Sequence, residues 1–302
     1  MLLADHPGGA SDDAGPDRDI WRHDAQALDE TRPRSADSRS GSSEAPINAG
    51  LVFMGYPQRF FEPGYVWHLT ARCHNRDFLL SQVLYRKLLT DALFENQARY
   101  RVPVLNFTVT SNHVHLLVVS TSDKNAIPEM MRDLGSKVAA AYNKKTDRKG
   151  SFWERRYHAT AVESGEHLVR CSLYIDTNML RAGVVRHPSE WKHGGYHEIV
   201  KPKQRYKTVS LSELSRLAGM PDDPSFPEHY AGWVENVVKR GHLCRDDVWT
   251  ADLAVGSVKF VDHVRRQSGY APIVKDESNM LGEQPAPYGP QIDCGNMVEW
   301  GF

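Results

Sequence analysis

The sequence predicts an α+β fold in which helices cover one antiparallel sheet, and three observations lead to this prediction. Short runs rich in β-branched and aromatic residues alternate with segments of helical periodicity in the order β-α-β-β-α-β. The second and third runs are separated only by Ser111-Asn112, which predicts a tight hairpin turn. A further helical segment follows the last run. This order is typical of a ferredoxin-like sheet, and we expect the final helix to reach across its open face.

Each element in this order has a local signal of its own. The first strand, at 65–72, is rich in aromatic and β-favouring side chains, and the first helix, at 81–100, carries leucines at helical spacing. Residues 104–110 predict the second strand, and the run that begins at His113 predicts the third. The remaining elements are a helix at 127–142, a basic loop at 143–150, a strand at 156–162 and a helix at 166–180.

The chain outside this core, which we place at 55–205, has a different composition. Residues 1–50 are poor in apolar side chains, so we expect them to be disordered. Residues 206–270 predict a separate small helical region, in which Ser212 caps one helix and Ser257 opens another. Residues 271–302, with several prolines and glycines, predict a mostly unstructured tail.

The overall composition predicts a globular protein with a polyanionic partner. Of the 302 residues, 40% are hydrophobic and 25% are charged. We expect no membrane partner and a cytoplasmic, nucleoid-associated location, because no apolar run of membrane-spanning length, secretory signal or CxxC pair is present. The net charge of −1 divides into −5 for 1–52, +10 for 53–207 and −6 for 208–302. The basic middle segment favours nucleic acid as the partner, with a solvated basic face as the alternative.

The third predicted strand begins with two histidines separated by one valine. His113 and His115 share one face of a strand because side chains alternate with a period of two, and Val114 belongs to the opposite face. Two imidazoles on one face make half of a metal site. Two unrelated strand histidines are an equally good interpretation of this pair alone.

Tyr174 and Asn178 lie four residues apart in the last predicted helix and therefore share a helix face. An amide oxygen is a hard ligand that suits Mg or Mn, and together with His113 and His115 it gives three protein ligands. A metal ion held there polarises a phosphate beside the phenol. The alternative is a packing aromatic and an amide that caps the helix.

Residues 64–200 resemble the single-tyrosine HUH transposases, the IS200-like family, and in particular the subgroup associated with REP elements in bacteria. The resemblance rests on four motifs in order, GYVWHLTAR at 64–72, NHVHLLV at 112–118, GSFWERRY at 150–157 and YIDTNMLRAGVV at 174–185. It implies an HUH nuclease core with a catalytic helix. The chain has Asn178-Met179 where the family often has Asn-Pro, which leaves the end of the helix less fixed.

The resemblance also implies a role for each residue of the site. His113, His115 and Asn178 become ligands of Mg or Mn, and Tyr174 becomes the nucleophile. The implied reaction is metal-dependent transesterification, in which palindromic hairpin DNA, single-stranded, is cleaved and rejoined through a 5′-phosphotyrosine intermediate. Family members work as monomers or as homodimers.

Cations and aromatic rings cluster around the predicted site. Cations neutralise phosphates and aromatic rings stack on unpaired bases, so this mixture suits single-stranded or hairpin DNA. The aromatic residues also suit the core, and we expect His68 and His158 to be structural. The cations that we predict to bind DNA are Arg72, Arg76, Lys144, Lys145, Arg148, Lys149, Arg155 and Arg156.

Two other functions remain open at this stage. The first is a domesticated DNA-binding protein of the same fold that has lost transposition. The second is a metal hydrolase unrelated to DNA, with Glu163 beside the two histidines. The basic middle segment and the ordered motifs favour the transposase-like enzyme over both.

Overall fold

Five strands form one sheet in the computed structural model, which describes residues 59–241 and 246–268. Its order is β2-β3-β1-β4-β5, with antiparallel pairing among the first four strands and parallel pairing between β4 and β5. The predicted α+β class and ferredoxin-like strand order are confirmed. The strands are β1 (Val66–Arg72), β2 (Val104–Val109), β3 (His113–Val119), β4 (His158–Val162) and β5 (Ala254–Val255).

Nine α-helices connect or follow these strands in the part of the chain that the structure describes. None of them is both long enough and apolar enough to cross a membrane. The helices are α1 (Val83–Arg99), α2 (Ala126–Thr146), α3 (Glu166–Asp176), α4 (Asn178–Arg181), α5 (Tyr196–Val200), α6 (Leu211–Leu217), α7 (Phe226–Arg240), α8 (Val248–Ala251) and α9 (Val258–Gln267).

Two element boundaries differ from the prediction in ways that affect the site. The predicted helix at 166–180 is interrupted at Thr177, whose hydroxyl donates to the Leu173 carbonyl at 2.8 Å, a local bond that bends helices. The predicted basic loop at 143–150 is also partly wrong. Helix α2 continues to Thr146 and ends at Asp147, which adopts a left-handed conformation.

The C-terminal segment differs more strongly from its prediction. Helix α6 begins after Ser210, so Ser212 lies inside the helix and does not cap it. Ser257 does open a helix, because its hydroxyl oxygen accepts from the Phe260 amide. The segment was predicted to be a separate small helical region, yet it also adds β5 to the sheet beside β4. The predictions for 1–50 and 271–302 lie outside the described residues.

The pleat of the sheet separates two different faces. The face that carries Val114 belongs to the same buried apolar core as Leu89 on α1 and Met131 on α2. The face that carries His115 lies under α3, α4 and α8. The register between β1 and β3 pairs Thr70 with His115, so their side chains lie next to each other on the second face. The side chain of each strand residue is therefore committed to one of two distinct environments.

Candidate active site

The histidine pair lies at the beginning of β3 with its two rings in contact. The ring centroids of His113 and His115 are 4.8 Å apart and the rings are nearly perpendicular. His113 is partly exposed, whereas His115 is buried. The Nδ1 atom of His113 lies 2.6 Å from Asn112 Oδ1 and 2.9 Å from Thr110 Oγ1. These contacts hold the ring through Nδ1, the arrangement in which Nε2 serves as a metal ligand.

Helix α3 and the short α4 bring the predicted tyrosine and amide onto the same face as His115. The Asn178 Nδ2 atom is 3.1 Å from His115 Nε2. The ring centroid of Tyr174 is 5.9 Å from that of His115 and 6.2 Å from that of His68. The four-residue spacing thus holds across the interruption at Thr177. His113, His115, Tyr174 and Asn178 meet within a single chain, and their chemical roles stay predictions.

Tyr174 is also contacted by a cation and by an aromatic residue of the C-terminal segment. The guanidinium carbon of Arg181 is 4.0 Å from the centroid of the Tyr174 ring, and the same guanidinium donates to the Tyr174 carbonyl at 2.8 Å. The Trp249 ring lies 6.1 Å away on α8. A cation over an aromatic face is attracted by the ring quadrupole, so Arg181 helps to hold the phenol in place.

Burial keeps the inner histidines uncharged. It lowers the pKa of His68 to about 4 and the pKa of His115 well below its usual range. The nearby guanidinium groups of Arg181 and Arg72 lower the pKa of His115 further. At neutral pH both rings are therefore neutral, and a neutral imidazole is the form that binds a metal ion.

The donor set fits a divalent metal ion. Among the described residues, no group of three His, Cys, Asp or Glu side chains is arranged to hold one, so a third protein ligand has to be of another type. Asn178 supplies that type, because rotation of its amide exchanges the nitrogen that faces His115 for an oxygen. The imidazole nitrogens suit first-row transition metals, and the amide oxygen is a ligand type that suits Mg and Mn.

The structure does not bring Glu163 to this site. Glu163 follows Val162, which pairs with Val66 at the opposite end of β1 from His113 and its partner Arg72. Its carboxylate accepts hydrogen bonds from the backbone and hydroxyl of Ser257 at the start of α9. The geometry therefore argues against a hydrolase site built from two histidines and Glu163.

The predicted DNA-binding cations lie near the histidine end of the sheet, in two settings. Arg72 is on the His115 face, paired in register with His113. The loop after α2 follows the same end of β1, since the Glu154 amide donates to the Arg72 carbonyl and Arg148 donates to the Ser151 carbonyl. The exposed cations around it are Arg76, Lys144, Lys145, Lys149, Arg155 and Arg156.

The aromatic residues of this loop belong largely to the protein interior. Phe152 and Tyr157 are buried, and the Trp153 indole donates to the Gly135 carbonyl at 3.0 Å. A Cβ on Gly135 would approach the indole nitrogen to 3.1 Å, so a larger residue at this position would require the indole to shift by a few tenths of an ångström. The cations are therefore better candidates for DNA contacts than the rings.

A buried polar network connects α3 to the C-terminal segment and was not predicted. The Asp176 carboxylate accepts from the Tyr230 hydroxyl at 2.6 Å and from the Asn106 amide at 3.0 Å. Ser172 is 2.7 Å from the same hydroxyl. Burial raises the pKa of Asp176 to about 7, against the two donors. Helix α7 is thereby attached to α3 at a residue between Tyr174 and Asn178.

Comparison with known proteins finds a family model that matches part of the chain. The family model described as "Transposase IS200 like" matches residues 63–178. No curated protein matches the sequence.

Two solved structures are similar at low identity. One is a REP-associated tyrosine transposase bound to a REP hairpin, with 19% identity over 49% of this chain and 87% of that chain and a TM-score of 0.43. The other is a putative transposase from Deinococcus radiodurans R1, with 20% identity over 37% of this chain and 88% of that chain and a TM-score of 0.29. At such scores neither likeness carries an argument, so the family rests on residues 63–178.

Proposed function

We propose that the chain is a metal-dependent enzyme of the IS200-like transposase family that cleaves and rejoins single-stranded hairpin DNA, and the match of residues 63–178 to the model of that family supports the proposal. The observation that carries the proposal is the meeting of Tyr174 and Asn178 with His115 inside one chain. A phenol, two imidazoles and an amide gathered at one place form a set that suits phosphoryl transfer.

Tyr174 is the proposed nucleophile. Its phenolic oxygen forms a bond to phosphorus while the bond between phosphorus and the 3′-oxygen breaks. The phenol releases its proton to solvent and the departing 3′-oxygen takes one up, which leaves a 5′-phosphotyrosine link and a 3′-hydroxyl. Attack by this or another 3′-hydroxyl reverses the step and joins DNA. No ATP is consumed, because each step exchanges one phosphodiester bond for another.

His113, His115 and Asn178 are the residues that would hold Mg or Mn. When bound, the ion polarises the scissile phosphate and stabilises the charge that develops on it. Arg72 lies beside His113 in register, where a guanidinium favours an approaching phosphate. The exposed cations of the loop after α2 continue this positive surface and supply the affinity for the DNA backbone.

The first test is covalent capture of the DNA. The protein is incubated with Mn and a hairpin oligonucleotide labelled on its 3′ side, and SDS-stable adducts are separated by electrophoresis. We expect the wild type to form the adduct and Tyr174→Phe to form none. Tyr206→Phe, which alters a tyrosine that is 78% exposed, is the matched control and should behave as the wild type. An adduct that persists in Tyr174→Phe would exclude Tyr174 as the nucleophile.

The same assay separates the enzyme from the second candidate, a DNA-binding protein of this fold without transposition activity. The intact set of His113, His115, Tyr174 and Asn178 favours the enzyme. If the wild type binds the hairpin in a mobility-shift assay and forms no adduct with Mg or Mn on any hairpin sequence tested, the second candidate is correct.

A second test concerns the number of chains that one site needs. The tyrosine and the histidines meet within one chain, so we expect a monomer to contain a complete site. A mixture of inactive His113→Ala and inactive Tyr174→Phe should then stay inactive. Recovery of cleavage in the mixture would instead show that the tyrosine of one chain acts at the histidines of another.

A further inference from the structure

A hydrogen-bonded chain runs from the C-terminal segment to the proposed metal ligand. His68 Nδ1 lies 2.8 Å from the Trp249 carbonyl oxygen, and His68 Nε2 lies 2.8 Å from His115 Nδ1. The His68 and His115 rings are stacked, with centroids 5.0 Å apart. On its far side His115 Nε2 meets Asn178. His68 therefore joins the Trp249 carbonyl to His115 through one hydrogen bond at each of its ring nitrogens.

The ring nitrogens that carry protons in His68 and His115 follow from the hydrogen bond to the Trp249 carbonyl. A backbone carbonyl can only accept, so the hydrogen bond to Trp249 requires a proton on His68 Nδ1. In the neutral ring His68 Nε2 then carries no proton and accepts, which requires the proton of His115 to be on Nδ1. His115 is left with a lone pair on Nε2, directed at Asn178.

We propose that His68 is a positioning residue that, through the Trp249 carbonyl, holds His115 in the tautomer whose Nε2 binds the metal ion. The binding of a metal ion at His115 rests on the proposed function. The tautomer of His115 follows from the hydrogen bonds alone. Metal-binding histidines generally need such a partner on the other ring nitrogen, which fixes the orientation of the ring and raises its basicity.

The carbonyl that fixes His68 comes from Trp249, and this gives the C-terminal segment a function. Trp249 lies on α8, well beyond the family match at 63–178, and its ring also approaches Tyr174. The Thr160 hydroxyl lies 3.3 Å from the same carbonyl and donates to the Asp252 carbonyl at 2.7 Å, so the end of α8 is held from the sheet as well. The segment thus covers the polar face of the sheet and supplies an acceptor from outside the matched residues.

Two substitutions at one position separate positioning from packing. His68→Gln retains an amide that donates to Trp249 and an oxygen that accepts from His115, whereas His68→Leu fills the space and can do neither. We expect His68→Leu to weaken Mn binding by about 10- to 100-fold, measured by EPR on the full chain, and His68→Gln to restore most of the affinity. Equal affinity in the wild type and His68→Leu, or equal loss in both variants, would overturn the proposal.

A measurement on the wild type tests the tautomer without any variant or metal. In the full chain labelled with ¹⁵N-histidine, the His115 ring should show a protonated Nδ1 and an unprotonated Nε2. A protonated Nε2 would overturn the proposal even if the protein cleaves DNA. Absence of a tyrosine adduct alongside the expected tautomer and the expected order of Mn affinities would refute the proposed function and leave the positioning role intact.

Discussion

The two faces of the central sheet are buried to a similar degree but differ in chemistry. Under α1 and α2 the strands present only apolar side chains, whereas under α3 and α8 they present buried polar groups among apolar ones. The polar set comprises His68, Thr70, Asn106, Thr108, His115 and Thr160. The apolar set on the other face of the sheet comprises Trp67, Leu69, Phe107, Val114, Leu116 and Val118.

Because both faces are buried, burial alone does not identify the face that carries the candidate active site. A buried polar group costs stability unless it has hydrogen-bond partners, so a row of such groups requires a specific arrangement around it. Here that arrangement comes from α3 through Ser172 and Asp176, and from the C-terminal segment through Tyr230 and Trp249. The apolar face needs only close packing.

The largest expected effect on stability comes from removing a buried leucine, and we expect it to be equal on the two faces of the sheet. Leu116 and Leu117 are adjacent, fully buried and on opposite faces. Replacing either by alanine should lower the free energy of unfolding by about 2–5 kcal/mol, because each change leaves a cavity. Only Leu117→Ala, which opens space opposite His68, should also reduce adduct formation per folded molecule. Urea unfolding and the adduct assay measure the two quantities, and equal activity in both variants would contradict the distinction.

A smaller effect on stability is expected when the hydroxyl of a buried tyrosine is removed, and it should differ between two such tyrosines. The Tyr230 hydroxyl donates to one Asp176 oxygen and the Asn106 amide donates to the other, so Tyr230→Phe should cost about 1–3 kcal/mol of unfolding free energy by removing one of these two donors. Tyr85, on α1, is equally buried, and its hydroxyl has no hydrogen-bond partner among the described residues. Tyr85→Phe should therefore be neutral or stabilising in the same urea titration. Similar costs for both variants would show that the network under α3 contributes nothing specific.

The smallest effect on stability belongs to the residue with the largest effect on chemistry. His113 is partly exposed, so His113→Ala should change the unfolding free energy by no more than about 1 kcal/mol. It should nevertheless abolish cleavage and weaken Mn binding while hairpin binding in a mobility-shift assay is retained. His229→Ala, at an exposed position on α7, is the control and should leave all three unchanged. Parallel loss of cleavage and hairpin binding would argue against the metal role.

Much of the fold was predictable because its signals are local. Alternation within β3 places His113 and His115 on one face whatever the rest of the chain does, and the four-residue spacing does the same for Tyr174 and Asn178. The order of strands and helices along the chain followed from the same short-range patterns. The interruption at Thr177 and the extension of α2 to Thr146 were missed, because helix ends depend on side-chain bonds that periodicity does not encode.

The sequence by itself thus determined which residues share a face, and only the tertiary structure decided which faces meet. His68 was predicted to be structural, since nothing near it in the chain reveals a neighbour 47 residues away at His115 or 181 residues away at Trp249. The attachment of Asp176 to Tyr230 spans 54 residues and was invisible for the same reason. Side-chain periodicity is set by the backbone geometry of a few residues, whereas the partners of a buried polar group are set by how distant segments pack.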